Sequence, residues 1–195
     1  MPKKGPLSPL LEALRDLVTW LQCKHTPGVI IGGVAASILG RPRLTRDIDA
    51  LVMLEEEYWD TFLLDGAKCG FIPRLNDCLT FARKSRVLLV RHKPSGIDVD
   101  ITFGTLPFEK EAISRAVWFD IKKIRLPLPA PEDLIIMKAI AHRPRDLADI
   151  ESILDAHTKL NLRRVRQWVK EFSSAIDMPD ILNDLENILA RKRKK

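Results

Sequence analysis

The chain is poor in cysteine. Cys23, Cys69 and Cys78 are an odd set of three with no Cys-x-x-Cys pair, so neither a disulfide framework nor a zinc site is expected, and a reduced, cytoplasmic setting fits. Long apolar runs are also missing. Every one falls far short of the roughly 18 residues a membrane helix needs, which excludes a membrane partner by that route. No apolar stretch follows the charged start Met1-Pro-Lys-Lys-Gly-Pro, so a secretory leader is not expected. There is no internal repeat, and no low-complexity segment apart from the terminal run Arg191-Lys-Arg-Lys-Lys.

What remains is ordinary globular material, 46% hydrophobic and 30% charged over 195 residues. That is enough chain for one compact core with an added helical layer. The balance of charge is basic, +6 with a pI near 9.3. Besides the tail, a second cluster is formed by Lys159, Arg163, Arg164, Arg166 and Lys170. A polyanionic partner such as RNA would suit it, and so would a plainly solvated helix face.

Hydrophobic periodicity places the elements. Leu10, Leu11, Leu14, Leu17, Val18 and Leu21 recur at helical spacing and predict an amphipathic helix over 7–22, stopped by Pro27-Gly28. The β-branched run Val29-Ile-Ile reads as a buried strand that turns at Gly32-Gly33 into a short helix over 34–39. A second strand is predicted over 47–54 and a helix over 55–68. Strands over 87–90 and 97–103 form a hairpin through Pro94-Ser-Gly96, and a short helix follows over 107–115. A last strand is predicted over 121–128. Pro131-Glu-Asp has the form of a helix start, and the pattern stays helical to about Ala190. The expected fold is α+β: a mixed sheet of four to five strands flanked by helices over 1–130, then a C-terminal helical subdomain and basic tail over 131–195.

The chemistry lies in the acids. Asp47 and Asp49 stand two apart on a strand and share a face, their Cα atoms roughly 6.6 Å apart. Carboxylates so placed can share divalent ions, and magnesium prefers oxygen ligands while leaving positions open to phosphate. A third acid from a neighbouring strand would complete a two-metal site. The stretch Gly96-Ile-Asp-Val-Asp-Ile-Thr-Phe offers Asp98 and Asp100 on its polar face. Ahead of the acid pair, Gly32 and Gly33 open a helix, where backbone amides can meet phosphate. Farther on, Lys138 sits in an apolar helical stripe and needs an anionic partner, for which a triphosphate and Asp146 are the two candidates. Arg143 would meet phosphate or cap the helix. Trp168 is expected in the core with Leu162, Val165, Val169 and Phe172, and His142 at a polar rim.

The blocks Gly32-Gly-Val-Ala and Arg43-Leu-Thr-Arg-Asp-Ile-Asp-Ala-Leu-Val resemble the signature of the polymerase-β-like nucleotidyltransferase superfamily. The form of the second block looks like the branch that includes the AbiEii-type toxins and uncharacterised bacterial relatives. Gly96-Ile-Asp-Val-Asp resembles that branch's third-carboxylate strand. Pro131-Glu-Asp-Leu-Ile-Ile-Met-Lys-Ala with Arg143-Pro-Arg-Asp-Leu-Ala-Asp resembles a later motif. The resemblance implies a nucleotidyltransferase-like sheet, an NTP donor, and Mg²⁺ or Mn²⁺ held by Asp47, Asp49 and Asp100, with Asp100 rather than Asp98 as the third acid. It also implies nucleotide-binding roles for Gly32, Gly33, Arg46, Lys138, Arg143 and Asp146. The three carboxylates are then expected to converge on one point. The expected activity is transfer of a nucleoside monophosphate to a hydroxyl, with RNA as acceptor in a toxin-like setting and an antitoxin or a second copy as protein partner. The alternatives are an antibiotic-type small-molecule nucleotidyltransferase and a catalytically silent RNA- or protein-binding module.

Overall fold

The computed structural model describes residues 8–193. Its residues fall into two compact units, one of residues up to 34 with 45–128, the other of 35–44 with the segment from 129 onward. The sequence places a single boundary near 130. The structure instead assigns the later turns of one helix and the loop after it to the C-terminal unit.

In the first unit, helix α1 (Pro9–Cys23) leads into strand β1 (Gly28–Ile31) and helix α2 (Gly32–Leu39), of which only the opening residues belong to this unit. Then come β2 (Asp47–Val52), α3 (Trp59–Lys68), β3 (Phe71–Pro73), α4 (Cys78–Ser85), β4 (Val87–His92), β5 (Ile97–Phe103), α5 (Pro107–Ser114), β6 (Val117–Ile121) and β7 (Ile124–Leu128). The main sheet has five strands in the order β1-β2-β5-β4-β3, and β6 and β7 form a separate hairpin. Only the β2–β5 pair is parallel, so the sheet is mixed, as expected. Leu7, the first residue of the expected opening helix, lies outside the described residues.

One face of the sheet carries the core: Ile48, Ala50 and Val52 of β2, Val99, Ile101 and Phe103 of β5, and Leu88 and Val90 of β4, all buried. Aromatic rings anchor the helices there. Trp59 stacks on Phe103 at 3.9 Å between centroids and Trp20 on Phe62 at 4.4 Å. Both buried indoles donate to carbonyls, Trp20 to Phe62 at 2.9 Å and Trp59 to Leu54 at 3.0 Å, so neither ring strands a polar atom. Gly66 is required against Trp20, because a Cβ there would lie 2.4 Å from the indole ring.

The structure departs from the sequence expectation in three stretches. The helix over 55–68 begins as a 3₁₀ turn over Glu56–Tyr58, and its α part starts at Trp59. β3 and α4 fall in a stretch with no periodic signal: β3 is three residues long and ends in proline, and α4 buries only Cys78 and Ala82. The last strand is a hairpin, with Lys122 and Lys123 both at positive φ between β6 and β7. Turns of that hand normally announce themselves with Asn or Gly, and two lysines give no such signal.

The second unit is helical: α6 (Pro131–Ala141), α7 (Pro144–Ala156), α8 (Leu162–Ala175) and α9 (Asp180–Arg193). Pro131 and Pro144 sit in the first turns of α6 and α7, where their missing N–H is harmless. Val165, Val169, Ile181, Leu185, Ile188 and Leu189 are buried, whereas Leu162, Trp168 and Phe172 are half-buried, with Trp168 stacked on Phe172. No described helix is long and apolar enough to cross a membrane.

Candidate active site

The polar face of the first unit's sheet is where the acids meet. β2 and β5 run parallel in a register that pairs Asp47 with Asp98 and Asp49 with Asp100. Paired residues on neighbouring strands point to the same face, so four carboxylates form a two-by-two patch in the middle of the sheet. β1 borders the patch on one side, with Ile31 opposite Asp49. On the other side β4 places Leu89 opposite Asp100 and Arg91 opposite Asp98.

The glycine turn lies directly against this patch. Gly32 begins α2 at φ +61, and a Cβ built on it would fall 1.8 Å from Asp49 Oδ2. The residue is therefore glycine for two reasons, a left-handed backbone and the carboxylate that occupies the space of a side chain. Gly33 follows in the first turn of the helix. Asp47 is exposed and accepts a hydrogen bond from Thr45 Oγ1 at 3.0 Å, and Arg46 beside it is exposed.

The two acids of β5 are engaged differently. Asp98 accepts a two-pronged contact from Arg91, at 2.6 Å from Nε and 3.1 Å from Nη2. That contact, against some burial and with help from Arg74, holds its carboxyl below the usual carboxylate range. Asp100 is bonded by Arg74 Nη2, while Arg74 Nη1 lies 3.3 Å from Asp98. Burial pushes the Asp100 carboxyl above its usual range. Arg74 works against that rise, and the neighbouring Asp47 and Asp98 add to it. Arg74 did not stand out in the sequence, since a lone arginine after a short edge strand carries no motif.

The expected convergence of Asp47, Asp49 and Asp100 on one point is not what the structure holds. Among the described residues no three His, Cys, Asp or Glu side chains are gathered closely enough to grip a metal ion. Like charges in a patch repel, and Asp100 is turned to Arg74. The donor chemistry nevertheless fits a hard divalent cation. The set is all carboxylate oxygen on adjacent strands, with a side-chain-free turn at Gly32 beside Asp49.

In the helical unit, Lys138 is buried with its ammonium 2.7 Å from Asp146 and 2.9 Å from Asp149. Arg143 adds a contact to Asp146 at 2.5 Å, and Arg43 holds Asp149 at 2.8 Å through both Nε and Nη2. Burial alone would raise both carboxyls, but the cations outweigh it and hold them below the usual range. Of the two partners open to Lys138, the carboxylate of Asp146 is the one at hand, and Asp149 joins it. His142 ends α6 in a left-handed conformation with its ring 3.0 Å from Asp184.

The basic cluster is divided. Arg164 contacts the fully buried Asp133 at 2.9 Å and Arg166 contacts Glu186 at 2.6 Å, whereas Lys159, Arg163 and Lys170 are exposed. Of the basic tail, Arg191 lies 3.1 Å from Glu151 and Lys192 contacts Asp155, while Lys194 and Lys195 lie outside the described residues.

A mixed sheet with helices and paired acids at its centre defines a nucleotidyltransferase-like fold, and solved structures agree. An antigenic nucleotidyltransferase-like protein from Paracoccidioides brasiliensis matches with TM-score 0.57 at 15% identity, over 92% of this chain and 95% of its own. The antibiotic-resistance factor ANT(2'')-Ia matches with TM-score 0.60 at 16% identity, over 89% and 97%. The lincosamide antibiotic adenylyltransferase LnuA matches with TM-score 0.51 at 12% identity, over 72% and 94%. No curated protein matches in sequence. The chain belongs to the family described as "Nucleotidyltransferase of unknown function (DUF6036)", whose match spans residues 75–190, more than half of the sequence. That span takes in Asp98 and Asp100 and the Lys138 block, and begins after Gly32, Asp47 and Asp49.

Proposed function

We propose that the protein transfers a nucleoside monophosphate from an NTP to a hydroxyl acceptor, with Mg²⁺ or Mn²⁺ held by Asp47, Asp49 and Asp100. One observation carries the reading: Asp49 and Asp100 sit in register on adjacent strands, and Asp49 lies against the side-chain-free start of α2 at Gly32. The bound metal would supply Lewis-acid activation of the acceptor hydroxyl and neutralise charge on the departing pyrophosphate. Asp47 and Asp49 orient the donor end of the site, and the backbone of Gly32 and Gly33 lets phosphate approach closely. Arg46, exposed beside Asp47, supplies positive charge to the triphosphate. Asp100 takes the proton of the acceptor hydroxyl. Asp98, committed to Arg91, is the weaker candidate for third acid.

The expected nucleotide-binding roles of Lys138 and Asp146 are not carried into this proposal. Both are buried and bonded to each other, and a buried lysine matched to two carboxylates has no charge left over for phosphate. Arg143, more exposed, keeps part of its fork on Asp146.

For the acceptor, RNA docked along the exposed Lys159, Arg163 and Lys170 is the first reading, in line with a toxin of the AbiEii type and an antitoxin partner. A small molecule is the second, favoured by the likeness to ANT(2'')-Ia, described as an antibiotic-resistance factor, and to LnuA, described as a lincosamide antibiotic adenylyltransferase. The test is incubation with each labelled NTP and, in turn, total RNA, protein and an antibiotic panel. Label that appears in none of them, with Mg²⁺ or Mn²⁺ present, would leave a silent binding module as the surviving alternative.

A further inference from the structure

The acid patch already contains a cation of its own. Arg74 follows β3, its backbone N–H donates to Leu89 O at 3.0 Å, and Leu89 stands opposite Asp100. The side chain therefore crosses β4 along the same row of the sheet that holds Asp100, Asp49 and Ile31. Its Nη2 bonds Asp100, its Nη1 lies 3.3 Å from Asp98, and its Nε is buried with no hydrogen-bond partner.

We propose that Arg74 is a resident counter-ion of the acid patch, which competes with divalent metal for Asp100 and sets how readily the metal site fills. The inference rests on the reading of Asp47, Asp49 and Asp100 as metal ligands.

Three features argue for it. A guanidinium cannot shed its proton in a protein, so its hold on Asp100 ends only by moving away. The place it moves to is built in, because Asp98 is fixed by Arg91 through both oxygens and still lies within reach of Arg74 Nη1. Asp98 is thus a tether rather than a metal ligand, which accounts for two acids on one strand with only one needed in the site. Finally, the seat on Asp100 leaves the Nε donor unused, so the present position is not a fully satisfied structural bond. Arg91, by contrast, spends its fork on Asp98 alone and is exposed.

The test is Mn²⁺ titration without nucleotide, with free Mn²⁺ followed by electron paramagnetic resonance, for the unaltered chain, Arg74→Met, Arg74→Lys and Asp49→Asn. Loss of a charge-assisted bond to Asp100 should tighten Mn²⁺ binding in Arg74→Met by roughly tenfold or more. Arg74→Lys, which keeps the charge and loses the fork, should fall between. Thermal unfolding of Arg74→Met without metal should come at lower temperature and recover on Mn²⁺ addition. Equal Mn²⁺ affinity in the unaltered chain and both Arg74 variants, with binding lost in Asp49→Asn, overturns the role of Arg74 and leaves the metal site standing. Absence of Mn²⁺ binding in all four overturns the metal site and with it this inference. If Arg74→Met does not fold by circular dichroism, the affinity of Arg74→Lys alone decides.

Discussion

Asp49 rests its carboxylate where Gly32 would carry a side chain: a Cβ on Gly32 would lie 1.8 Å from Asp49 Oδ2. Strand β2 and the turn into α2 are therefore fitted to each other at a single atom. Gly32→Ala should both strain a backbone at φ +61 and drive Asp49 out of place. The expected result is a stability loss of about 1–3 kcal/mol by urea denaturation and a collapse of nucleotidyl transfer beyond what the stability loss explains.

Asp49→Asn removes one charged oxygen ligand at constant volume. Transfer from labelled NTP should fall by roughly 10³-fold, with circular dichroism unchanged. Near-normal turnover would show that the acid patch is not the catalytic centre.

Lys138→Met leaves Asp146 and Asp149 buried without their shared ammonium. Breaking a buried pair by removing one partner costs about 3–5 kcal/mol, so chemical denaturation should register a large loss. If instead stability holds and only the KM for NTP rises, Lys138 serves the nucleotide after all.

The same network sets an acid limit. Asp146 and Asp149 have folded-state carboxyls below the ordinary value of 3.8, because the contacts of Arg143, Arg43 and Lys138 outweigh burial. An acid depressed on folding contributes stability that is full above its unfolded value and is lost as pH falls through the folded one. Melting temperature should therefore be flat down to about pH 5 and fall steeply below about pH 4. Asp149→Asn should shrink that fall.

On the α8 face, Arg166 is engaged by Glu186 and Arg164 by Asp133, which leaves Arg163 and Lys170 as the exposed pair. Arg163→Ala with Lys170→Ala should lower the salt slope of binding to a transfer-RNA pool by about two contacts. Addition of Arg166→Ala should bring little further change. Binding that ignores all three substitutions would favour a small-molecule acceptor.

Much of this was legible in the residues. The alternation Ile97, Val99, Ile101, Phe103 against Asp98, Asp100, Thr102 fixed the two faces of β5, because a period of two leaves little choice once one face is apolar. Helices α1 and α6 declared themselves through stripe and proline. Elements without a stripe stayed hidden: β3 and α4 are held by a few buried residues, and the Lys122–Lys123 turn by strand pairing rather than turn chemistry. In the site, local spacing brought out Asp47 and Asp49. Arg74 was invisible because its partner lies 26 residues away, on β5 beyond the neighbouring strand β4. Lys138 could be read as needing an anion, but which anion depended on how α6 and α7 pack.

The parallel pairing of β2 and β5 has a consequence for how the protein comes into being. These strands are separated in sequence by α3, β3, α4 and β4, and parallel neighbours cannot close through a local turn. On the ribosome, Asp47 and Asp49 emerge long before Asp98 and Asp100. During that interval the acid patch is half-made, without Asp100, and the edge of β2 that β5 will cover stays open. Nascent chains shorter than about residue 103 should be inert toward Mn²⁺, and competence should arrive in one step as β5 slots between β2 and β4. On the proposed function, synthesis itself would delay activity until the sheet is whole.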